Sequence, residues 1–527
     1  MDKDLENKIQ NFAHDMTKLE EFCKAHETLY IYGAGKFGAR YYSFIKDKYK
    51  VSGFVVSSEK DCGSFQGVPV ISVSCLPACS SRAGIIPAFK GSSADDIKQK
   101  FPAGTVDVFD IESHDFMSYS SMIKPLHDIH ERLKEYGPPA SLPLPSRDAK
   151  VNILITRLDA IGDVICTTPL IREVRRNYPN AFITVVIREQ NKELLENCPY
   201  IDELLLYDTG YEEPSYMEED FDYDLIKAKT DAFIRNAFKR KYDIVFKATE
   251  VMAGRNMIQE LLLVFGSGAT WRIGHVSDYG DVTRSIIAYM FRDVFSCIPF
   301  QRFPMHEAIY KLDMIRTCGL KIEQYQPELW PSEENCKKMC QFIDNSRFTG
   351  VKHFVAVGLA GTLPRRSWPE KSYIELFDRI YEEYGDEIIF ILFGEKEISQ
   401  VGSRMEHLCK NVLDCTGKCS LNETIALIRK SELYLGANTG LLHIAAAEKK
   451  NAIVLYATCL SDGTYMKSDG PCRWGALGVV NYNLIPPAGL DGCHISCSKA
   501  EPHCITQIEV GQVEMALRCM INLSNNV

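Results

Sequence analysis

Two carboxylates close together in the chain have the type and spacing needed for acid–base chemistry. Asp159 and Asp163 follow the apolar run 151–156, which predicts a buried strand. Because α/β proteins bind ligands at the carboxyl ends of parallel strands, we expect both carboxylates at such an edge. Asp163 would then be within reach of an acceptor hydroxyl and could act as a general base. The alternative is that Asp163 only caps the next helix, although Cys166 stands where a full capping box has Glu or Gln.

A second candidate site is the segment Gly436–Ala447, with the sequence Gly-Ala-Asn-Thr-Gly-Leu-Leu-His-Ile-Ala-Ala-Ala. It follows a short apolar run that predicts a strand, and Asn438, Thr439 and Gly440 form a helix start with little side-chain bulk. The unpaired N–H groups and positive dipole end of such a helix suit a diphosphate. We expect His443, about one turn into the helix, to help hold that charge. The alternative is an ordinary strand-to-helix turn with a hydrogen-bonded histidine.

Strands and helices must alternate along the chain to place these residues, and the sequence has that alternation. We predict an α/β fold with parallel sheets and right-handed crossovers. A proline-rich stretch over residues 138–150 predicts a linker, because it can continue neither a helix nor a central strand. The predicted domains are therefore 1–137, 151–330 and 331–527, each Rossmann-like.

Composition excludes some classes of function. The 527 residues are long enough for about three domains, and the net charge of −10 argues against a general nucleic-acid binder. The polar N-terminus does not read as a signal peptide, and no apolar run is long enough to span a bilayer. The 19 cysteines are scattered, which favours reduced thiols, so we expect a cytoplasmic protein.

The N-terminal domain contains a glycine motif with dinucleotide-type spacing. Gly33, Gly35 and Gly38 follow an apolar run and precede a helical run, which is the context such a motif needs. Glu59 lies two or three residues beyond the position where an acidic residue would bind ribose hydroxyls. Two interpretations stay open: a Rossmann-like scaffold without a cofactor, and a nucleotide-binding domain, including an NAD(P)-linked enzyme.

Three segments resemble motifs of one family, the ADP-heptose:lipopolysaccharide heptosyltransferases of glycosyltransferase family nine. Ile161–Pro169 resembles the family's opening motif, and Gly361–Pro369 resembles its loop ending in Lys/Arg-x-Trp-Pro. Asn438–Ala447 resembles its Asp-Thr/Ser-Gly-x-x-His-x-Ala-Ala signature, with Asn438 where the family usually has Asp. The resemblance covers about residues 151–527 and implies two facing Rossmann-like domains, the GT-B arrangement, preceded by a third, smaller one.

The resemblance also implies an inverting, metal-independent glycosyltransferase that needs no cofactor. Its donor would be a nucleotide-diphosphate sugar, heptose-like or other, bound to residues 331–527. Its acceptor would be a glycan or lipopolysaccharide-type polymer bound to residues 151–330, and peripheral association with the inner membrane face stays open. Asp163 takes the role of base. The donor-binding residues that the resemblance implies are Thr362, Arg366, Glu397, Asn438, Thr439, Gly440 and His443.

Two alternatives accompany this hypothesis. Asn438 leaves open a catalytically altered protein that still binds sugar nucleotides, and Arg366 could instead form a surface ion pair. Near the C-terminus, a zinc site is an alternative suggested by Cys493, Cys497, His503 and Cys504, but their spacing lacks a clean C-x2-C pair. We therefore predict no metal site.

Overall fold

The computed structural model divides the chain into two compact units, one mainly of residues 1–137 and one of residues 138–213, 222–280 and 291–527. The structure describes residues 18–35, 38, 41–42, 45–46, 48–76, 83–88, 94–102, 104–110, 126–214, 221–252, 256–278, 287–302, 305–351, 353–359, 366–457, 470–490 and 501–524. Among these residues, no helix is both long enough and apolar enough to cross a membrane.

The first unit is built on one six-stranded sheet in the order β3-β4-β2-β1-β5-β6. Its strands are β1 (Leu29–Tyr32), β2 (Val51–Val56), β3 (Gly63–Phe65), β4 (Val68–Ser72), β5 (Ala83–Pro87) and β6 (Val106–Val108), with helix α1 (Ala94–Lys98) before β6. All neighbours pair in parallel except β3 with β4. The chain leaves β1 for β2 on one side and later returns to β5 on the other. Its glycine turn therefore lies at the topological switch point of the sheet.

Backbone conformation explains the glycine at position 33 and close packing explains the one at position 38, and neither explanation requires a ligand. Gly33 has a φ of 116°, in the left-handed region that favours glycine. A Cβ on Gly38 would collide with the Gly33 carbonyl oxygen and lie 3.1 Å from the Phe54 ring. Gly35 is exposed, and a Cβ there would meet no described atom within 4 Å. Nucleotide binding by this turn stays a prediction.

Replacing Gly38 with Ala is expected to lower the free energy of unfolding of this unit by about 1–3 kcal/mol, because the added methyl group collides with backbone. Urea unfolding of the full chain measures the effect, with the rate of tryptic cleavage within the first unit as the signal. Gly63→Ala is the matched control, since a Cβ there has open space. A Gly38→Ala protein as stable as the Gly63→Ala protein would contradict the packing role.

The second unit contains a middle lobe (residues 151–330) whose five-stranded parallel sheet has the order β11-β10-β7-β8-β9. Its strands are β7 (Asn152–Arg157), β8 (Phe182–Arg188), β9 (Glu203–Tyr207), β10 (Ile244–Lys247) and β11 (Trp271–Ile273), and a separate pair is formed by β12 (Val276–Asp278) and β13 (Phe300–Arg302). Its helices are α2 (Ile161–Ile165), α3 (Thr168–Asn177), α4 (Lys192–Leu195), α5 (Tyr223–Ala237), α6 (Met257–Gly266) and α7 (Glu307–Thr317). The switch point lies between β7 and β10, so the turn after β7 opens into it.

The C-terminal lobe (residues 331–527) has a six-stranded parallel sheet in the order β16-β15-β14-β17-β18-β19. Its strands are β14 (His353–Gly358), β15 (Ile388–Phe393), β16 (Val412–Asp414), β17 (Leu433–Ala437), β18 (Asn451–Leu455) and β19 (Asn481–Leu484). Its helices are α8 (Glu333–Asp344), α9 (Glu370–Tyr384), α10 (Ser399–Leu408), α11 (Leu421–Lys430), α12 (Gly440–Ala447), α13 (Pro471–Trp474) and α14 (Val510–Ser524). Every residue of β15 is buried, as expected for a parallel strand covered on both faces. Here the switch point lies between β14 and β17.

One hydrophobic core runs through both lobes of the second unit. It includes Ile153 and Ile155 of the middle sheet together with Ala356 and Ile391 of the C-terminal sheet. The predicted fold class is confirmed: an α/β chain with two facing parallel-sheet lobes and a smaller sheet domain before them. The boundary at residue 330 stays a prediction.

The proline-rich stretch 138–150 lies along the middle lobe. The Ala140 amide donates to the Thr270 carbonyl at 2.7 Å, and the Trp271 indole donates to the Ser141 carbonyl at 3.2 Å. These bonds place the stretch in the second unit, in agreement with the division after Gly137.

Candidate functional site

Asp163 lies where the sequence places it, at the switch point of the middle sheet. Strand β7 ends at Arg157, and helix α2 begins four residues later, with Asp163 in its first turn. The N-cap residue is Ala160, which makes no side-chain cap bond, and the Asp163 carboxylate instead accepts a hydrogen bond from Arg157 Nη2. Asp163 therefore does not act as a helix cap. Its side chain is 22% exposed, which leaves it accessible from the crevice.

The buried side chain of Arg157 hydrogen-bonds to the Asp163 carboxylate. Its guanidinium is 3% exposed, and Nη1 donates to the Ala248 carbonyl at 2.6 Å, at the end of the neighbouring strand β10. Its Nε lies 3.3 Å from Asp159 Oδ2, and that carboxylate also accepts from Thr249 Oγ1 at 3.0 Å. Two strand ends are thus tied together at the switch point by one buried cation.

The Asp163 carboxyl group is protonated more readily in this site than it would be in water. Burial raises the pKa of the Asp163 carboxyl, and the nearby carboxylates of Asp159 and Glu307 act in the same direction. The cations Arg157 and Lys311 oppose the shift without cancelling it. A carboxylate with a raised pKa is a stronger base once ionised, which suits proton abstraction.

The segment Asn438–Gly440 follows β17 at the switch point of the C-terminal sheet, and helix α12 begins at Gly440. Thr439 is the N-cap residue, with extended backbone, and its side chain makes no cap hydrogen bond. Asn438, Thr439 and Gly440 are all partly exposed. The Leu442 amide donates to the Thr439 carbonyl at 3.1 Å, and anion binding by this helix start stays a prediction.

Two glycines let β14 and β17 approach closely at this edge. Gly436 has a φ of 158°, and a Cβ on it would lie 2.6 Å from the Gly358 carbonyl oxygen. A Cβ on Gly358 would lie 2.5 Å from the Tyr434 hydroxyl, which donates to the Ala437 carbonyl at 3.0 Å. This close approach fixes the strand end from which the helix start projects.

The two switch points meet, because helix α2 of the middle lobe packs on helix α12 of the C-terminal lobe. A Cβ on Gly162 would lie 2.7 Å from His443 Cδ2, and one on Gly440 would lie 3.0 Å from the Ile161 side chain. The candidate base and the candidate diphosphate site are therefore carried by two helices in direct contact.

His443 is a neutral part of this contact. It is 3% exposed, its Nδ1 lies 3.7 Å from Cys166 Sγ, and its ring packs edge-on to Trp474 with centroids 5.8 Å apart. Burial lowers the pKa of His443 to about 3, and His306 acts in the same direction. A role of His443 in holding the diphosphate stays a prediction, and a neutral ring would serve it through a hydrogen bond and packing.

The loop that carries Arg366 is anchored by Trp368. The indole is 3% exposed, donates to the Ile508 carbonyl at 2.9 Å and packs edge-on to Tyr373. Arg366 is partly exposed two residues before this anchor, in the connection that follows β14. Thr362 lies outside the described residues.

The remaining donor candidate, Glu397, is exposed in the short turn that follows β15. It belongs to the same edge of the C-terminal sheet as Arg366 and Asn438, because β15, β14 and β17 are parallel neighbours. The donor-side roles of all these residues stay predictions.

The predicted absence of a metal site is untested. Among the described residues, no group of three or more His, Cys, Asp or Glu side chains could hold an ion. Cys493 and Cys497 lie outside the part of the chain that the structure describes.

Residues 298–465 match glycosyltransferase family 9 (heptosyltransferase). That match spans Arg366, Glu397 and the Asn438–His443 segment, and it confirms both the resemblance and the enzyme class, a heptosyltransferase-like glycosyltransferase.

Curated relatives and a solved structure agree with this match. The lipopolysaccharide core heptosyltransferase of Haemophilus influenzae is 24% identical over 59% of this chain and 80% of its own length. Lipopolysaccharide heptosyltransferase 2 of Escherichia coli is 21% identical over 60% of this chain and 85% of its own length. The crystal structure of a family 9 glycosyltransferase from Veillonella parvula covers 72% of this chain and 99% of its own, with 18% identity and a TM-score of 0.55. The last match supports the two-lobed fold.

Sequence reasoning missed a buried ionic cluster next to Asp163. Glu307, at the start of α7, pairs with Lys311 on the next turn, and its Oε2 accepts from Arg473 Nε at 2.8 Å. Arg473 also lies 3.3 Å from Glu250 Oε1. Glu250, Arg473 and the Glu307–Lys311 pair are far apart in sequence and belong to no motif, so only the polar start of the otherwise buried helix α7 could have indicated them.

Replacing Gly162 with Ala is expected to reduce the free energy of unfolding of the second unit by about 1–3 kcal/mol. The added methyl group would lie 2.7 Å from a ring that Trp474 also contacts, so α2 and α12 must separate to admit it. Denaturant unfolding followed by tryptophan fluorescence gives the value.

The matched control for this test is Gly511→Ala in helix α14, where a Cβ has open space and Ala is the better helix former. That protein should equal the parent or exceed its free energy of unfolding by up to about 1 kcal/mol. Equal stability of the Gly162→Ala protein and the parent would rule out the tight helix contact.

Proposed function

We propose that the chain is an inverting, metal-independent glycosyltransferase that moves a sugar from a nucleotide-diphosphate donor to a glycan or lipopolysaccharide-type acceptor. The observation that carries the proposal is the contact between α2 and α12. The helix that bears Asp163 packs on the helix whose start would bind the diphosphate.

On the donor side, the helix start at Gly440 would receive the diphosphate. Its first-turn N–H groups and the positive end of the helix dipole stabilise negative charge. Departure of the nucleoside diphosphate leaves charge on its terminal oxygen, and the Arg366 guanidinium would neutralise part of it. Fixed donors of this kind can replace a metal ion as the electrophilic partner.

On the acceptor side, Asp163 would remove the proton of the attacking hydroxyl. The acceptor oxygen then forms its bond to the anomeric carbon from the face opposite the diphosphate, as the bond from that carbon to the diphosphate oxygen breaks. The proton resides on the Asp163 carboxylate and the electron pair leaves with the nucleoside diphosphate. One such displacement inverts the anomeric configuration.

The names of the relatives favour a particular substrate class. Both act, by name, as lipopolysaccharide heptosyltransferases. An ADP-linked heptose is therefore the first donor to test, with a lipopolysaccharide-type acceptor presented at the inner membrane face. Asn438, neutral where the family usually has a carboxylate, would alter contacts to the sugar hydroxyls, so other hexose and heptose donors belong in the same assay.

Replacing Asp163 with Asn is expected to reduce the rate constant for transfer by about 10²–10⁴-fold, the range that a general base supplies. The amide keeps the shape of the carboxylate but cannot accept a proton. Product formation from a labelled donor panel measures the rate, and isothermal titration with ADP measures donor-site binding, which should be unchanged.

Asp148→Asn is the matched control, because Asp148 is exposed and precedes the amino end of β7, whereas Asp163 follows the carboxyl end of that strand. It should transfer sugar at the parent rate. If Asp163→Asn kept the parent turnover, the base role would be rejected, and a parent protein that binds ADP without transferring any donor sugar would point to a binding protein.

Replacing Arg366 with Gln is expected to weaken ADP binding by about tenfold, the worth of one charge-assisted contact to phosphate of about 1.4 kcal/mol. Titration calorimetry at two salt concentrations measures it, and the loss should shrink at high salt. Arg404→Gln, which removes a cation that pairs with Glu370 on the surface of the same lobe, is the control and should bind ADP like the parent. Equal affinities for the two variants would show that Arg366 serves only a surface contact.

A further inference from the structure

Arg473 belongs to the C-terminal lobe and pairs with carboxylates of the buried ionic cluster next to Asp163. It lies in α13, and its side chain is 14% exposed. Its Nε donates to Glu307 Oε2 at 2.8 Å, and its Nη2 lies 3.3 Å from Glu250 Oε1. Both carboxylates are at most 4% exposed, so the pairs have little water to screen them.

The same cluster reaches the candidate base through one nitrogen atom. Arg157 Nη2 donates to Asp163 Oδ1, and that atom also lies 3.5 Å from Glu307 Oε1. Glu307 and Asp163 are therefore competitors for one cation. How strongly Glu307 competes depends on how far its own charge is met by Lys311 and Arg473.

We propose that Arg473 is a positioning residue for sugar transfer: by compensating Glu307 and Glu250, it leaves the Arg157 guanidinium to hold and stabilise the Asp163 carboxylate. The inference rests on the proposed role of Asp163 as the base. Arg473 acts through Glu307 and Arg157 and need not touch the substrate.

The balance of charge supports this role. The cluster's carboxylates are those of Asp159, Asp163, Glu250 and Glu307, and its cations are Arg157, Lys311 and Arg473. Among the residues that the structure describes, these cations are one fewer than the carboxylates. Loss of Arg473 would leave four carboxylates with two cations, and Glu307 would turn towards Arg157.

Other ionisable groups face the cluster without altering this balance near neutral pH. Burial lowers the pKa of His306 to about 4 and those of His443 and His275 to about 3, so these rings are neutral. Burial also raises the pKa of the Cys166 thiol, which keeps it uncharged. Lys247 and Glu260 form a fully buried pair 3.2 Å apart whose charges offset each other, and Lys247 Nζ donates to the Glu250 carbonyl at 3.0 Å.

Ionisation of Glu307 itself depends on these cations. Burial opposes its charge, but Lys311, Arg473 and Arg157 together outweigh burial and hold its pKa well below the ordinary value. The lowered pKa keeps Glu307 in its anionic form, which competes with Asp163 for Arg157.

Arg473 is also tied to the donor side of the crevice. Its neighbour Trp474 packs on the His443 ring in α12, and its guanidinium carbon lies 5.0 Å from the Trp474 ring centroid. His306 Nε2 hydrogen-bonds to the Gly475 carbonyl at 2.9 Å, which fixes the end of α13 on the middle lobe. Residues 473–475 therefore contact both helix α12 of the donor side and the charged groups around Asp163.

The test compares pH profiles of kcat/KM for the parent, Arg473→Gln and Arg473→Lys proteins. Transfer is lost as the pH falls through the pKa of the base, and this fall in kcat/KM is the acidic limb of the profile. Arg473→Gln should move that acidic limb to higher pH by about one unit, since net negative charge near a carboxylate raises its pKa. Arg473→Lys keeps the charge and should return the limb towards the parent position. Binding of ADP should be the same in all three proteins.

A double variant keeps the test sound if Arg473→Gln folds poorly. Arg473→Gln combined with Glu307→Gln removes one positive and one negative charge together, so the net charge of the cluster stays that of the parent. Its acidic limb should lie near that of the parent. Arg379→Gln, a surface cation of the same lobe, is the control and should leave the profile unchanged.

The outcomes separate this inference from the function on which it rests. If Asp163→Asn abolishes transfer while Arg473→Gln lowers activity at all pH values without moving the limb, Arg473 is merely structural and the inference is overturned. A double variant whose limb stays at the Arg473→Gln position would overturn it as well. If Asp163→Asn retains transfer and the acidic limb, the proposed base itself fails.

Discussion

Contact between helices α2 and α12 is the constraint on which the rest of the second unit depends. Each helix starts at the switch point of its own parallel sheet, so the contact sets the distance between the two crevices. It is possible only because Gly162 and Gly440 carry no side chains where His443 and Ile161 approach. Close-packed interiors transmit a misfit instead of absorbing it, and one added methyl group would move one lobe relative to the other.

Several charged side chains are buried next to this contact. Their burial lowers the free energy of unfolding, and the packing of the two lobes does not require it. Arg157 is 3% exposed and Glu307 is 2% exposed, and taking such groups out of water is expensive even when they are paired. Apolar side chains of similar volume would stabilise the lobes as well. We interpret the retained charges as serving the carboxylate of Asp163, whose raised pKa follows from burial and from the carboxylates beside it.

Much of the candidate site could be predicted because its signals are local. A strand, a turn and a helix are encoded in consecutive residues, so the sequence alone predicts Asp163 and the Asn438–Gly440 segment at sheet edges, where the structure has them. The alternation of such units also predicted the fold class. The state of His443 could not be predicted in this way, because its neutrality comes from burial against Gly162 and Trp474, which lie elsewhere in the chain.

The sequence by itself determined the strands, the glycine turns, the helix starts and the family motifs, since each depends on neighbouring residues and backbone preferences. Only the tertiary structure decided that Glu307 lies beside Arg157 and pairs with Arg473, and hence how strongly the candidate base is held. Electrostatic interactions depend on distance and on exclusion of water between groups that folding brings together. No spacing along the chain contains either quantity.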